Sequence, residues 1–96
     1  MDSLRKTGNI VMTDLQFKFQ VGEFHITKRS CNVTLEPPIT PVINTKLVAK
    51  QTGVLILSSQ LQLYAPLNFQ FVVYQILANS KIFWIAQAVL DNALAD

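Results

Sequence analysis

The 96-residue chain is poor in charge: aspartate, glutamate, lysine and arginine make up 15% of it, against about 25% in ordinary soluble domains. Cysteine and histidine occur once each, as Cys31 and His25. A lone cysteine excludes an internal disulfide framework and fits a reducing compartment. The first residues hold no apolar core of signal-peptide length, so a cytoplasmic location is expected. There is no cysteine pair and no His-x-x-x-His spacing, so neither a metal nor another cofactor is expected. The three glycines, Gly8, Gly22 and Gly53, stand apart and form no phosphate-cradling loop. The acids Asp2, Asp14, Glu23, Glu36, Asp91 and Asp96 are scattered, without the close carboxylate pair of glycosidic or two-metal chemistry. His25 and Cys31 would lie roughly 20 Å apart on one extended strand, beyond the reach of a nucleophile and its base. The expected protein is therefore not an enzyme.

The few charges are unevenly placed. Eleven of the fourteen fall in residues 1–50, and residues 51–80 carry none. On length alone, that stretch approaches a membrane span of roughly 20 apolar residues. Ser58, Ser59, Gln60, Gln62, Asn68, Gln70 and Gln75 interrupt it, Pro66 sits near its middle, and no apolar run in it exceeds four residues. Each of those polar side chains would need a partner in lipid, which argues against a transmembrane segment.

Half of the chain (50%) is hydrophobic, enough for a folded core. A single domain over 1–96 is expected, with a flexible leader at 1–8 and a crossover at 36–44, where Pro37, Pro38 and Pro41 remove ladder donors. Val11, Thr13, Leu15, Phe17, Phe19 and Val21 alternate with polar residues, the period of a strand with one buried face. Gly22-Glu23 then suits a two-residue turn, predicting a hairpin in which Val21 faces Phe24 and Phe19 faces Ile26. The pattern slips at Lys28-Arg29-Ser30 and resumes at Cys31, Val33 and Leu35, through either a bulge or a break into two strands.

Further strands are predicted at 45–51, 54–64 and 67–77. In the second of these, Leu55, Leu57, Leu61 and Leu63 share one parity, with Val54, Ile56 and Tyr64 on the other. Asn79-Ser80 reads as a turn and helix N-cap, followed by a helix over 81–95. A strand at 81–86 before a shorter helix is the alternative, because Ile-Phe-Trp-Ile favours β structure. The fold class is thus α+β: an antiparallel sheet of about five strands (β-β-crossover-β-β-β) with one C-terminal helix packed on a face.

Three functional classes remain. The first is a non-catalytic binding or assembly module that self-associates as a homo-oligomer through its uncharged sheet and helix. Interface centres are depleted in charge, and Val72, Tyr74, Ile76, Phe83, Trp84 and Leu90 are its expected contacts. The second is a nucleic-acid binder using Lys18, Lys28, Arg29, Lys46 and Lys50 as a basic face, for phosphate contacts rather than base reading. Residues 1–50 carry seven basic and four acidic residues, a net of +3. The third is a carrier of an apolar ligand or of unfolded polypeptide, enclosed by a sheet that is apolar on both sides.

Overall fold

The computed structural model describes residues 16–36, 45–64 and 67–96. The predicted strand positions at 11–15, the leader at 1–8 and most of the proline-rich crossover lie outside them. The described residues form six antiparallel strands and one helix: β1 (Phe24–Ile26), β2 (Cys31–Thr34), β3 (Thr45–Val48), β4 (Gly53–Tyr64), β5 (Phe69–Ala78), β6 (Lys81–Ala86) and α1 (Gln87–Leu94). Their order across the sheet is β1-β4-β5-β6-β2-β3. This is the expected α+β class, with one strand more than expected.

β6 stands where a helix was expected. Asn79 and Ser80 have φ of 53° and 65°. Positive φ at both central residues of a two-residue loop is the signature of a type I′ turn. They therefore fold β6 back onto β5, pairing Ala78 with Lys81 and Val73 with Ala86, and do not cap a helix. The chain becomes helical only at Gln87, after the extended Ala86. The β-prone Ile-Phe-Trp-Ile run outweighs the alanine-rich helical spacing, because it completes the centre of the sheet. In α1, Leu90 and Ala93 are buried at helical spacing.

The predicted N-terminal hairpin does not form. Residues 16–20 are irregular, and Phe24, His25 and Ile26 pair with Leu55, Val54 and Gly53 of β4. Gly22 and Glu23 extend that pairing, their N–H and carbonyl meeting the carbonyl and N–H of Ile56 at 2.9 Å each. The segment before them is drawn across the other face. Phe19 packs edge-on between His25 and Tyr74, with ring centroids 5.4 and 5.6 Å apart, and its N–H donates to the Tyr74 hydroxyl at 3.1 Å. The parity slip at Lys28-Arg29-Ser30 is a true break between β1 and β2.

The six-stranded sheet is curled, not flat. Laid flat, its edge strands β1 and β3 would be five spacings, about 24 Å, apart. Instead Thr27, next after β1, donates its hydroxyl to the carbonyl of Ala49, next after β3, at 3.0 Å. The same hydroxyl accepts the Thr52 N–H at 3.0 Å, and the Thr27 carbonyl accepts the Gln51 N–H at 2.7 Å. Thr27 is fully buried, so these bonds satisfy polar groups that burial would otherwise penalise. At this end the two edges of the sheet meet.

The inner face of the curl is the core. Val33, Val48, Val54, Ile56, Val72, Tyr74, Ile76, Phe83, Ile85, Leu90 and Ala93 form one buried cluster with Cys31 and Ala78. The leucines of β4 do not make a single face. A register shift between Ile56 and Ser58 moves Leu61 opposite Val72 and Leu63 opposite Gln70, on the inner side, whereas Leu55 opposes Leu77 on the outer side. One extra residue in a strand inverts its parity, and Leu57 occupies that position.

Candidate functional site

Two arrangements have functional potential: the contacts at the helix C-terminus, and the uncharged surface formed by the outer face and the far end of the β4–β5 hairpin. Lys28 and Arg29 belong to the first. Their backbone N–H groups donate to the carbonyl of Ala93 at 2.8 and 3.2 Å, satisfying the exposed end of α1. The Arg29 guanidinium donates to Asn92 Oδ1 at 3.2 Å and to the Asp96 carbonyl at 3.0 Å, and the Lys28 ammonium pairs with the Asp96 carboxylate. That hydrogen bond holds the Asp96 carboxyl below its usual range. α1 has no basic residue in its own last turn; two cations from the β1–β2 connection supply the positive charge that a helix C-terminus favours.

Lys18 is similarly engaged, its ammonium 2.8 Å from Asp91 of α1. Of the five residues expected to form a basic face, three are therefore directed at α1. Lys46 lies on β3 and Lys50 follows it, both exposed.

The expected interface residues separate sharply. Val72, Tyr74, Ile76, Phe83 and Leu90 fill the chain's own core, at 0–6% exposure, and are not available to a partner. Trp84 alone points the other way: it opposes Gln75 and Thr34 on the outer face, where it is half-buried. The Thr34 hydroxyl beside it is buried without a hydrogen-bond partner.

The outer face holds the apolar surface that parity alone did not reveal. Phe24, Ile26, Leu47 and Ile82 lie on it, exposed by 62, 51, 67 and 49%. The Phe24 ring covers Gly53, where an added Cβ would come within 2.6 Å of it. Among the described strand residues, no charged side chain shares this face, because Lys46 opposes inward-facing Val33 and Lys81 opposes inward-facing Ala78.

β4 has 12 residues and β5 has 10, but β1 pairs only with Gly53–Leu55, and β6 reaches only to Val73. Among the described residues, Leu57–Tyr64 and Phe69–Val72 thus run on together beyond β1 and β6 as an arm. Leu61 and Leu63 are exposed on its inner side, by 40 and 53%, and Tyr64 on its outer side by 43%. Phe69 and Phe71 stack at 6.0 Å. Between the arm and the start of α1 lies a groove of about 730 Å³, lined by Tyr64, Leu67, Phe69 and Phe71, with Lys18 and Asp91 at its rim. Gln87 fastens the groove's wall: its Oε1 accepts the Lys18 N–H at 2.8 Å and the Tyr74 hydroxyl, and its Nε2 donates to the Gln16 carbonyl at 2.7 Å. Sequence pattern offered no signal for Gln87, since its importance comes from long-range contacts.

His25 and Cys31 are not brought together. His25 Nε2 lies 2.8 Å from Glu23 Oε1, a hydrogen bond that lowers the Glu23 pKa. Cys31 lies on β2 in the buried cluster, and burial raises its thiol pKa. A protonated, buried thiol packs as a small hydrophobe. Among the described residues, no cluster of three or more His, Cys, Asp or Glu side chains is placed to hold a metal ion, and no helix is long and apolar enough to cross a membrane. No family model, no curated protein and no solved structure matches this chain.

Proposed function

We propose that the protein is a non-catalytic assembly module that binds further copies of itself through the uncharged sheet surface. The observation that carries this reading is the charge-free arm, with exposed Leu61 and Leu63 on one side and Tyr64 on the other. Exposed leucine and tyrosine on an arm without charge gain stability from a second surface. The outer face, with Phe24, Ile26, Leu47 and Ile82, offers further apolar area free of charge. Two such surfaces meet without like-charge repulsion and without burying an unpaired ion. The contact set thus shifts from the six residues suggested by sequence to the arm and the outer face, with Trp84 common to both. Light scattering coupled to size exclusion tests it: a species of at least twice 10.8 kDa at micromolar concentration is expected, and a monomer throughout that range overturns it.

The groove beside the arm supports a second reading, a carrier of an apolar ligand. Its aromatic walls and polar rim have the composition of small-molecule sites. Native mass spectrometry of protein purified from its own cells would then retain a small apolar molecule. Nucleic-acid binding draws less support, because Lys18, Lys28 and Arg29 are engaged with α1 and the C-terminal residues.

A further inference from the structure

Resting on the apolar-ligand reading of the groove, we infer that residues 16–18 are a movable strap along it. Gln87 is the latch that sets how long a bound molecule stays. Gln16 and Lys18 line the groove together with Gln87 and Asp91 of α1, and they belong to no strand. Among the described residues, every hydrogen bond of the backbone from Gln16 to Phe19 goes to a side chain. Gln87 makes two of the three. Its amide meets the Gln16 carbonyl and the Lys18 N–H, two residues apart, at 2.7 and 2.8 Å. One side-chain amide thus stands in for a neighbouring strand.

The latch is itself held in place, because Gln87 Oε1 also accepts from the hydroxyl of Tyr74, a side chain fully buried in the core. The second fastening joins Lys18 to Asp91, whose side chains are 54 and 50% exposed. Such a pair is screened by salt and contributes little. Phe19, wedged between His25 and Tyr74, is the pivot. Beyond it the chain turns through Gly22 at φ 96°, with open space where a Cβ would stand, and the pairing with β4 begins. A segment tied by a few side-chain bonds opens at a lower cost than the ladder beside it. Opening takes Gln16 and Lys18 away from Tyr64, Phe69 and Phe71, and a bound molecule loses part of its shield. Lys18 and Asp91 neutralise each other at the rim. The molecule that fits is therefore uncharged as well as apolar, since a charged one would have to break that pair.

The test uses the full chain and N-phenyl-1-naphthylamine, an uncharged aromatic probe that fluoresces in apolar surroundings. The unaltered protein is expected to bind it, Phe69→Lys to lose it, and Ile82→Lys on the outer face to keep it. Gln87→Leu keeps the bulk without either backbone bond, and should speed probe release about tenfold in stopped flow. The Lys18 amide should exchange with deuterium faster by a similar factor, while the Tyr74 amide in β5 stays protected. Asp91→Asn, at a half-exposed position, is the milder variant and should speed release about twofold. If the probe binds in the groove but both variants release it at the original rate, the strap is overturned and the carrier reading stands without it. Unchanged exchange at Lys18 in Gln87→Leu overturns the strap equally. A probe that does not bind, or that only Ile82→Lys removes, overturns the carrier reading and the strap with it.

Discussion

The two ends of the sheet solve opposite problems. At one end, Thr27 stitches the first and last strands together, and Lys28 and Arg29 hold the C-terminus of α1. Polar groups there are paired within the chain, and charges serve the fold. At the other end, β4 and β5 outrun their described neighbours, the arm itself carries no charge, and leucine and tyrosine side chains stay exposed. The difference separates residues that complete the fold from residues that stay exposed, which on the proposed reading are left to another surface. Low charge over the whole chain is thus a local property, concentrated on one arm and one face.

The contrast predicts unequal sensitivity to the same substitution. Leu90→Ala removes a fully buried side chain between α1 and the sheet and should cost about 3 kcal/mol in urea denaturation. Leu61→Ala, on the 40% exposed arm, should cost less than about 1 kcal/mol under dilute, monomeric conditions. Equal losses would remove the distinction. Thr27→Val keeps the shape but leaves the Ala49 carbonyl and the Thr52 N–H each without this hydroxyl. About 2 kcal/mol of destabilisation is expected by the same measurement, and a neutral result would show that the closure contributes little. Ser80→Gly relieves a non-glycine residue at φ 65° and should raise stability by about 1 kcal/mol; thermal denaturation would reveal its sign.

The smallest effect concerns pH. Glu23, hydrogen-bonded by His25, and Asp96, hydrogen-bonded by Lys28, both have folded pKa values below their ordinary ones. A depressed carboxyl stabilises the fold above its unfolded pKa, and that contribution is lost as pH falls through the folded value. Stability should therefore decline on acidification below the usual carboxylate range. Lys28→Met should flatten part of the decline, and an unchanged acid slope in that variant would exclude the Asp96 pair as a cause. Both carboxyls are exposed, so solvent screening keeps the effect slight.

Strands whose partners follow directly along the chain were the legible part of the fold. The alternation of 54–64 and 67–77, with a break between them, gave β4 and β5 nearly in full. The short strand from Thr45 and the resumption at Cys31 were equally plain. The Asn79-Ser80 turn was visible, but whether strand or helix follows it depends on whether β5 needs a neighbour there. Residues 16–21 alternate as a strand would, yet Phe19 is worth more wedged between His25 and Tyr74, and β4 takes the pairing of Phe24–Ile26. For the candidate site, the charge deficit pointed to the uncharged sheet and helix, but five of the six side chains it suggested are buried in the core. Parity cannot tell an inward Tyr74 from an outward Trp84 until the curl and the bulge at Leu57 are known.

The strand order has a consequence in time as well as in space. β4, β5 and β6 are consecutive in sequence and adjacent in the sheet, whereas among the described strands β1 pairs with β4 alone. On a ribosome β1, ending at Ile26, therefore emerges about 50 residues before the hairpin it joins is complete at Ala78. Contacts between near neighbours form faster than distant ones, so we expect the β4–β6 meander to fold first and the N-terminal strands to be recruited to it. High φ-values confined to 54–86, with low values at Ile26 and Val33, would be the kinetic record of that order. In that sequence of events, the Thr27 stitch is the last step.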